Sequence, residues 1–331
     1  MHLGEFNIDM TGIDRQKLYY KPGDPKIKIS RESAQKSIEE SFSDLQIQSI
    51  EWFADGGANT AYLVNREYVF RFAKDTAADC ILEMEIVMLS IIQKAVNISI
   101  PEFEYLGRRE GLRFVGYRLI PGERLTVELL NKGNSSFIKQ QAEIIAEFIK
   151  QLHDVDSAKA EQGGVPQISN KDFYARQFSD VKLIIYPFLE KGCSPKDVKI
   201  LISYIEQLFE NYFLTDAYFD YVPVLCHGSL YHKHIIYDSA KGKVSGIVDF
   251  GGLHMDDPDS ELHQLYSYYG KPFIEAMFSF LSVKNLELLF GKLEFYWRAQ
   301  FLRRLLKAVL VGTNEKRGQL LEKLKSFAAQ C

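Results

Sequence analysis

The stretch from Leu225 to Leu262, LCHGSLYHKHIIYDSAKGKVSGIVDFGGLHMDDPDSEL, constrains the fold of this chain more than any other segment. His227-Gly228-Ser229-Leu230 is followed after four residues by His234, and Asp249-Phe250-Gly251 begins fifteen residues beyond that. Between His234 and Asp249 the chain reads IIYD, SAKGK and VSGIVDF. Two β-rich runs around a turn at Ser239, Ala240, Lys241 and Gly242 are a hairpin signal. Such a hairpin returns Asp249 to the side of His234, so loop, strand pair and carboxylate have to close into one corner.

That order of parts is what a phosphoryl-transfer site needs. A carboxylate stands beside the acceptor hydroxyl, a metal ligand ends the same loop, and a second carboxylate holds Mg2+ between the nucleotide's phosphates. The segment resembles the aminoglycoside phosphotransferases and their antibiotic-kinase and choline-kinase-like relatives. Their signature is HGD-L-x-x-x-[N/H]-[I/V]-L, then I-D-F-G, then D-P-x-x-D/E-L; here it reads HGSLYHKHII, IVDFGG and DDPDSEL. The resemblance implies that His227 and Gly228 shape the loop, that His234 takes a metal-ligand place, and that Asp249 binds Mg2+. Histidine at position 234 is similar to the 2''-phosphotransferases of aminoglycosides. Ser229 stands where the family carries its catalytic Asp. An alcohol cannot take the acceptor's proton as a carboxylate does, and loss of a general base costs about 100- to 10,000-fold. The substitution therefore predicts a slow enzyme or a binding protein. A transition-metal site at His227, His232 and His234 is the competing reading, but no Cys pair or HExxH spacing supports it.

The nucleotide half is read from the first third of the chain. Residues from about Ser33 to Phe42 have helical periodicity, and IQSIEWFA, TAYLVN and YVFRFAK alternate as strands do. The turn Asp55-Gly56-Gly57-Ala58-Asn59 puts glycines at a hairpin tip, where kinase folds lay backbone amides over phosphates. Gly56, Gly57 and Asn59 are the candidates there, and an ordinary turn is the plain alternative. Val69-Phe70-Arg71-Phe72-Ala73 resembles the family's V-F-[K/R]-F-P, which puts Arg71 in the place of the cation that pairs with the α- and β-phosphates. Lys74 is the fallback, on the opposite face by period-2 alternation. The partner glutamate is expected on the helix ADCILEMEIVMLSIIQK, at Glu85 rather than Glu83. After the strands IPEFEYLG and RFVGYRLI, Tyr117 to Gly122 resembles the hinge where a purine edge meets backbone, with Tyr117, Arg118 and Leu119 as its contacts. Further on, AEIIAEFIKQLHDV, Lys196 to Phe213 and Lys284 to Phe327 have helical periodicity. His153 reads as structural.

The fold this implies is α+β, a protein-kinase-like two-lobed arrangement: residues 1–118 as a nucleotide lobe and 119–331 as a mostly helical catalytic and substrate lobe. At 331 residues, 46% hydrophobic and 25% charged, the chain can bury cores for two lobes. A net charge of -4 argues against a nucleic-acid partner. Cys80, Cys193, Cys226 and Cys331 lack paired spacing and are expected as thiols. The N-terminal MHLGEFNIDMTGIDRQ does not read as a signal peptide. No apolar run approaches the roughly 18 residues of a membrane span, so the cytoplasm is the expected location and no membrane partner is expected. The sequence is silent on oligomeric state.

The substrate side is thinner. Asp257, Asp259 and Glu261, with Asp256, Asp216 and Asp220, could form an acidic patch for a cationic aminoglycoside-like acceptor. Alternatively, Asp257 and Glu261 brace the DFG loop and cap the next helix. Tyr231, Tyr237, Tyr266, Tyr268 and Tyr269 could stack on a sugar or macrocycle. The leading expectation is Mg2+-dependent transfer of the γ-phosphate of ATP or GTP to a small-molecule hydroxyl. A catalytically inactive pseudokinase, or a kinase of another small alcohol such as a macrolide, a choline-like amine or a metabolite, is the alternative.

Overall fold

Residues 27–281, 283 and 285–330 are described in this computed structural model of the chain. The N-terminal segment read for a signal and Cys331 lie outside them. The chain divides into two compact units, one formed by Pro25–Gln167 and Val222–Val283, the other containing Ile168–Tyr221 and Lys284–Cys331.

The first unit opens with helix α1 (Arg31–Ser41), whose first turn is capped by the Ser30 hydroxyl accepting from the Ser33 amide. Strands β1 (Ile50–Asp55), β2 (Asn59–Val64) and β3 (Tyr68–Ala73) follow, then helix α2 (Thr76–Ile92) and strands β4 (Phe103–Arg109) and β5 (Leu112–Arg118). The sheet order is β1-β2-β3-β5-β4, with every neighbouring pair antiparallel. Alternation in β3 does the sorting. Tyr68, Phe70 and Phe72 turn to one face, where they join Phe114 and the α1 residues Ala34 and Ile38. Val69, Arg71 and Ala73 turn to the other, where Ala73 packs with Val115 and the α2 residues Ala78 and Leu82. The buried stripe of α2 runs Ala78, Leu82, Glu85, Leu89, Ile92, a helical spacing that carries Glu85 inward and leaves Glu83 outside.

Past the sheet come strand β6 (Glu123–Arg124) and helices α3 (Val127–Lys132), α4 (Ser135–His153) and α5 (Ser157–Gln162). Helices α6 (Asn170–Gly192) and α7 (Pro195–Leu214) belong to the second unit. The chain re-enters the first unit with β7 (Val224–Cys226), β8 (Ile235–Asp238), β9 (Lys243–Ile247), β10 (His254–Asp256) and helices α8 (Leu262–Tyr269) and α9 (Lys271–Met277). The expected hairpin is β8 and β9, antiparallel from Ile235 opposite Ile247 to Asp238 opposite Lys243, with β6 on its other edge. Strand β10 pairs antiparallel with β7, setting His254 opposite Cys226 and closing the DFG segment back onto the catalytic-loop segment.

The second unit is helical. α6 and α7 pack with α10 (Leu286–Val311) and α11 (Asn314–Ala328) around Ile184, Leu201, Phe209, Tyr212, Leu302, Leu305 and Leu324. The rings of Tyr212 and Phe295 stack at 3.7 Å. The long C-terminal helical pattern is two helices, because Gly312 follows α10 and the Thr313 side chain caps α11.

Candidate active site

Arg71 is the centre of the site, and the face it occupies follows from the alternation in β3. Its guanidinium makes a two-pronged pair with Glu85, Nη1 donating to Oε2 at 2.6 Å and Nη2 to Oε1 at 3.0 Å. Nη2 also stands 3.8 Å from Asp249 Oδ1. Burial alone would lower the Arg71 pKa, but the Glu85 carboxylate, in bonding distance, raises it. Gly251 is where this pair meets the DFG turn: a Cβ there would lie 2.8 Å from Glu85 Oε1.

Asp249 then connects to the catalytic loop. Its Oδ2 lies 3.1 Å from His234 Nε2, and His234 Nδ1 lies 2.7 Å from the Ser229 carbonyl oxygen. A proton on Nδ1 serves that carbonyl, which leaves the Nε2 lone pair of a neutral imidazole facing a carboxylate. Two acceptors at that distance call for a cation between them. Burial, opposed by Asp249 and reinforced by Arg71 and Arg124, keeps the His234 pKa below its ordinary value, so the imidazole is neutral at pH 7. Burial pushes the Asp249 carboxyl up, but the Arg71 guanidinium, helped by a hydrogen bond from the Gly251 backbone, holds it below the usual range, so it is ionised. Asp249 has φ of 69°, a conformation uncommon outside glycine that the surroundings must hold in place. One carboxylate and one neutral nitrogen, with room for water and phosphate oxygens, suit Mg2+, which takes few protein ligands. Among the described residues no group of three or more His, Cys, Asp or Glu could hold a metal alone. Of the three histidines weighed for a transition metal, His227 is buried against Phe250, ring centroids 4.5 Å apart, and His232 stacks on Tyr268 at 3.5 Å.

The loop carrying Ser229 is braced from beneath. The Gly228 amide donates to Glu261 Oε1 at 2.9 Å, its carbonyl accepts from Gln264 Nε2 at 3.2 Å, and the Ser229 amide donates to His227 Nδ1 at 3.2 Å. Gly228 has φ of 70°, and a Cβ would lie 2.1 Å from the Gly252 carbonyl oxygen, so no other residue fits. Burial drives the His227 pKa down to about 3 and keeps the ring neutral.

A cavity of about 720 Å³ unites these groups. Gly56, Gly57, Asn59, Arg71, Tyr117, Ser229, Tyr231, His234 and Asp249 of the sequence candidates line it. Glu85 lies directly behind Arg71. Lys74, the fallback cation, does not line the cavity: it is buried just past the end of β3, its Nζ donates to the Gly56 carbonyl at 2.8 Å, and it pairs with Asp55, pinning the glycine turn. Arg118 turns outward to Glu67 and Glu104 and covers the Tyr68 ring, because Tyr117 beside it takes the inward position. The Leu119 amide already donates to Glu67 O at 2.7 Å.

None of the acids read as an acceptor patch lines this cavity. Asp257 and Glu261 are buried, and neither they nor Asp259 lines the cavity. Asp257 Oδ1 accepts from the Asp259 amide at 3.0 Å, Glu261 holds the Gly228 amide, and Asp256 lies 3.3 Å from His254 Nε2. Asp216 and Asp220 belong to the second unit. Of the tyrosines, only Tyr231 reaches the cavity among those read as stacking surfaces; Tyr237 is buried and Tyr269 donates to Leu125 O at 2.6 Å. Trp52, Phe53, Arg124 and Lys233 also line it and had not been singled out in the sequence.

The sheet, the braced loop and the DFG carboxylate define a protein-kinase-like fold. A family profile described as the phosphotransferase enzyme family matches residues 49–279, and the chain belongs to that family. Among solved structures, the GDP and kanamycin complex of APH(2'')-IIIa is 27% identical, with a TM-score of 0.83 over 90% of this chain and 98% of that one. The gentamicin complex of APH(2'')-IIa, at 20% identity and a TM-score of 0.71, covers 90% of this chain and 96% of that one. A macrolide 2'-phosphotransferase type I shares the fold at 15% identity and a TM-score of 0.65, covering 91% and 99%. A curated Bacillus subtilis (strain 168) relative, the uncharacterized protein YcbJ, is 27% identical over 141 residues, 42% of this chain and 40% of that protein. No described helix is long and apolar enough to cross a membrane.

Proposed function

We propose that this chain is an Mg2+-dependent O-phosphotransferase that moves the γ-phosphate of ATP or GTP to a hydroxyl of a small molecule in the cytoplasm. The observation that carries this reading is the unbroken line of contacts from Glu85 through Arg71, Asp249 and His234 to Ser229 along one cavity. Arg71, fixed by Glu85, neutralises the α- and β-phosphates, and the Gly56-Gly57 turn, pinned by Lys74, covers them. Tyr117 borders the base. Asp249 and His234 would hold Mg2+, which when bound would neutralise charge on the transferring phosphoryl group. Ser229 and Tyr231 position the acceptor hydroxyl. The functional division proposed at residue 118 falls inside the first unit, between its sheet and its catalytic loop. Support from relatives is chemical in kind, since the solved neighbours hold GDP or ADP, and kanamycin or gentamicin.

Asp249→Asn removes the metal carboxylate while leaving the loop braces in place. It is expected to weaken Mg2+-dependent nucleotide binding by at least about tenfold, because a charge-assisted interaction is worth about 1.5 to 3 kcal/mol. Calorimetric titration with ATP and GTP, with and without Mg2+, measures it. Binding indifferent to both Mg2+ and Asp249 would refute the assignment. Ser229 specifically favours a second reading, a pseudokinase, in which Mg-nucleotide binds tightly and no product forms.

A further inference from the structure

Resting on the phosphotransfer reading, and going beyond it to the acceptor, the charges of the cavity narrow the substrate. Five charged side chains line it: Asp55, Asp249, Arg71, Arg124 and Lys233. Three of these are committed. Asp55 is held by Lys74 and Thr60, and Arg71 joins Glu85 and Asp249. Arg124 and Lys233 have no ion-pair partner among the described residues, and both are exposed. Arg124 ends the short strand β6 beside β8, and Lys233 lies in the loop between Ser229 and His234, so both cations border the Ser229 end.

The surroundings agree from independent directions. The loop that carries Lys233 also carries a neutral hydroxyl, Ser229, where the resembled family carries a carboxylate. The carboxylates expected to meet a polycation, Asp257 and Glu261, are spent inside the protein on backbone amides. Glu128, in the first turn of α3, lies outside the cavity lining, and the backbone and Thr126 lower its pKa.

We propose that the Ser229 end of the cavity is an anion-binding acceptor subsite: the hydroxyl acceptor carries a phosphate or carboxylate group that Arg124 and Lys233 hold. The acceptor oxygen bonds to the γ-phosphorus as the β,γ-bridging P–O bond breaks; the nucleoside diphosphate leaves, and the hydroxyl proton passes to water. The Ser229 hydroxyl can donate to the acceptor's oxygen without adding a repelling charge.

The test is calorimetry on the full chain. Mg2+ with a non-hydrolysable ATP or GTP analogue is titrated first, followed by ribose 5-phosphate, gluconate, uncharged ribose and kanamycin in separate runs. The expected result is that ribose 5-phosphate or gluconate binds at least about tenfold more tightly than ribose and kanamycin, the phosphate and carboxylate arms naming the anion. The Arg124→Ala/Lys233→Ala double variant, at exposed positions, loses at least about tenfold of that affinity while its analogue affinity moves less than about threefold. Kanamycin binding more tightly than either anion overturns the proposal, as does analogue binding with neither anion bound. A double variant that loses nucleotide instead of the anion also overturns it, giving both cations to the nucleotide. Failure of the first titration, before any acceptor is added, sinks the underlying phosphotransfer reading as well.

Discussion

Ser229→Asp is expected to raise kcat for phosphate transfer about 100- to 10,000-fold, the range a positioned general base contributes. The loop should accept the change, because it is held by backbone groups: the Ser229 amide on His227, its carbonyl on His234, and Gly228 on Glu261 and Gln264. Steady-state transfer from Mg-ATP and Mg-GTP, compared between the two proteins on the same acceptors, measures the effect. The gain should fall in kcat, whereas KM for an acidic acceptor should rise, since the new carboxylate stands beside the group that Arg124 and Lys233 hold. Equal kcat values would mean that proton removal contributes nothing here. A gain with KM unchanged would argue that the acceptor's charge is elsewhere.

Arg71→Met is expected to destabilise the protein by about 3 to 5 kcal/mol, because it strands the fully buried Glu85 carboxylate without its partner. The double variant Arg71→Met/Glu85→Leu should recover to within about 1 kcal/mol of the parent, as replacement of a buried ion pair by apolar groups often does. Urea unfolding gives both numbers. The functional readout separates structure from chemistry: the double variant, folded again, should still fail to bind Mg-nucleotide. If it binds as the parent does, Arg71 is a structural cation and the phosphate assignment is wrong. Lys74→Met provides the contrast, since that lysine pins the glycine turn through the Gly56 carbonyl and Asp55.

The parts legible in the sequence were those set by short-range periodicity. Period-2 alternation in YVFRFA sends Arg71 to the α2 face, and the helical stripe through Leu82, Glu85 and Leu89 selects Glu85 over Glu83. The hairpin turn at Ser239 to Gly242 returns Asp249 to His234 as expected. Burial that depends on tertiary packing was not legible. Asp257 and Glu261 look like surface acids in a polar run, yet the β7 and β10 pairing folds them under the Gly228 loop. Alternation could have shown that Arg118 points away if Tyr117 points in. Arg124 sits on a two-residue strand, too short to carry any period, and Lys233 hides between two histidines of the motif.

Single-turnover transfer of γ-labelled phosphate by the unaltered chain, with Mg2+ and an acceptor series spanning ribose 5-phosphate, gluconate and kanamycin, tests the central claim most directly. The predicted result is slow, Mg2+-dependent appearance of label on an acceptor hydroxyl, abolished in Asp249→Asn. Tight Mg-nucleotide binding with no label on any acceptor, from this chain and from Ser229→Asp alike, would contradict it and leave a nucleotide-binding pseudokinase in its place.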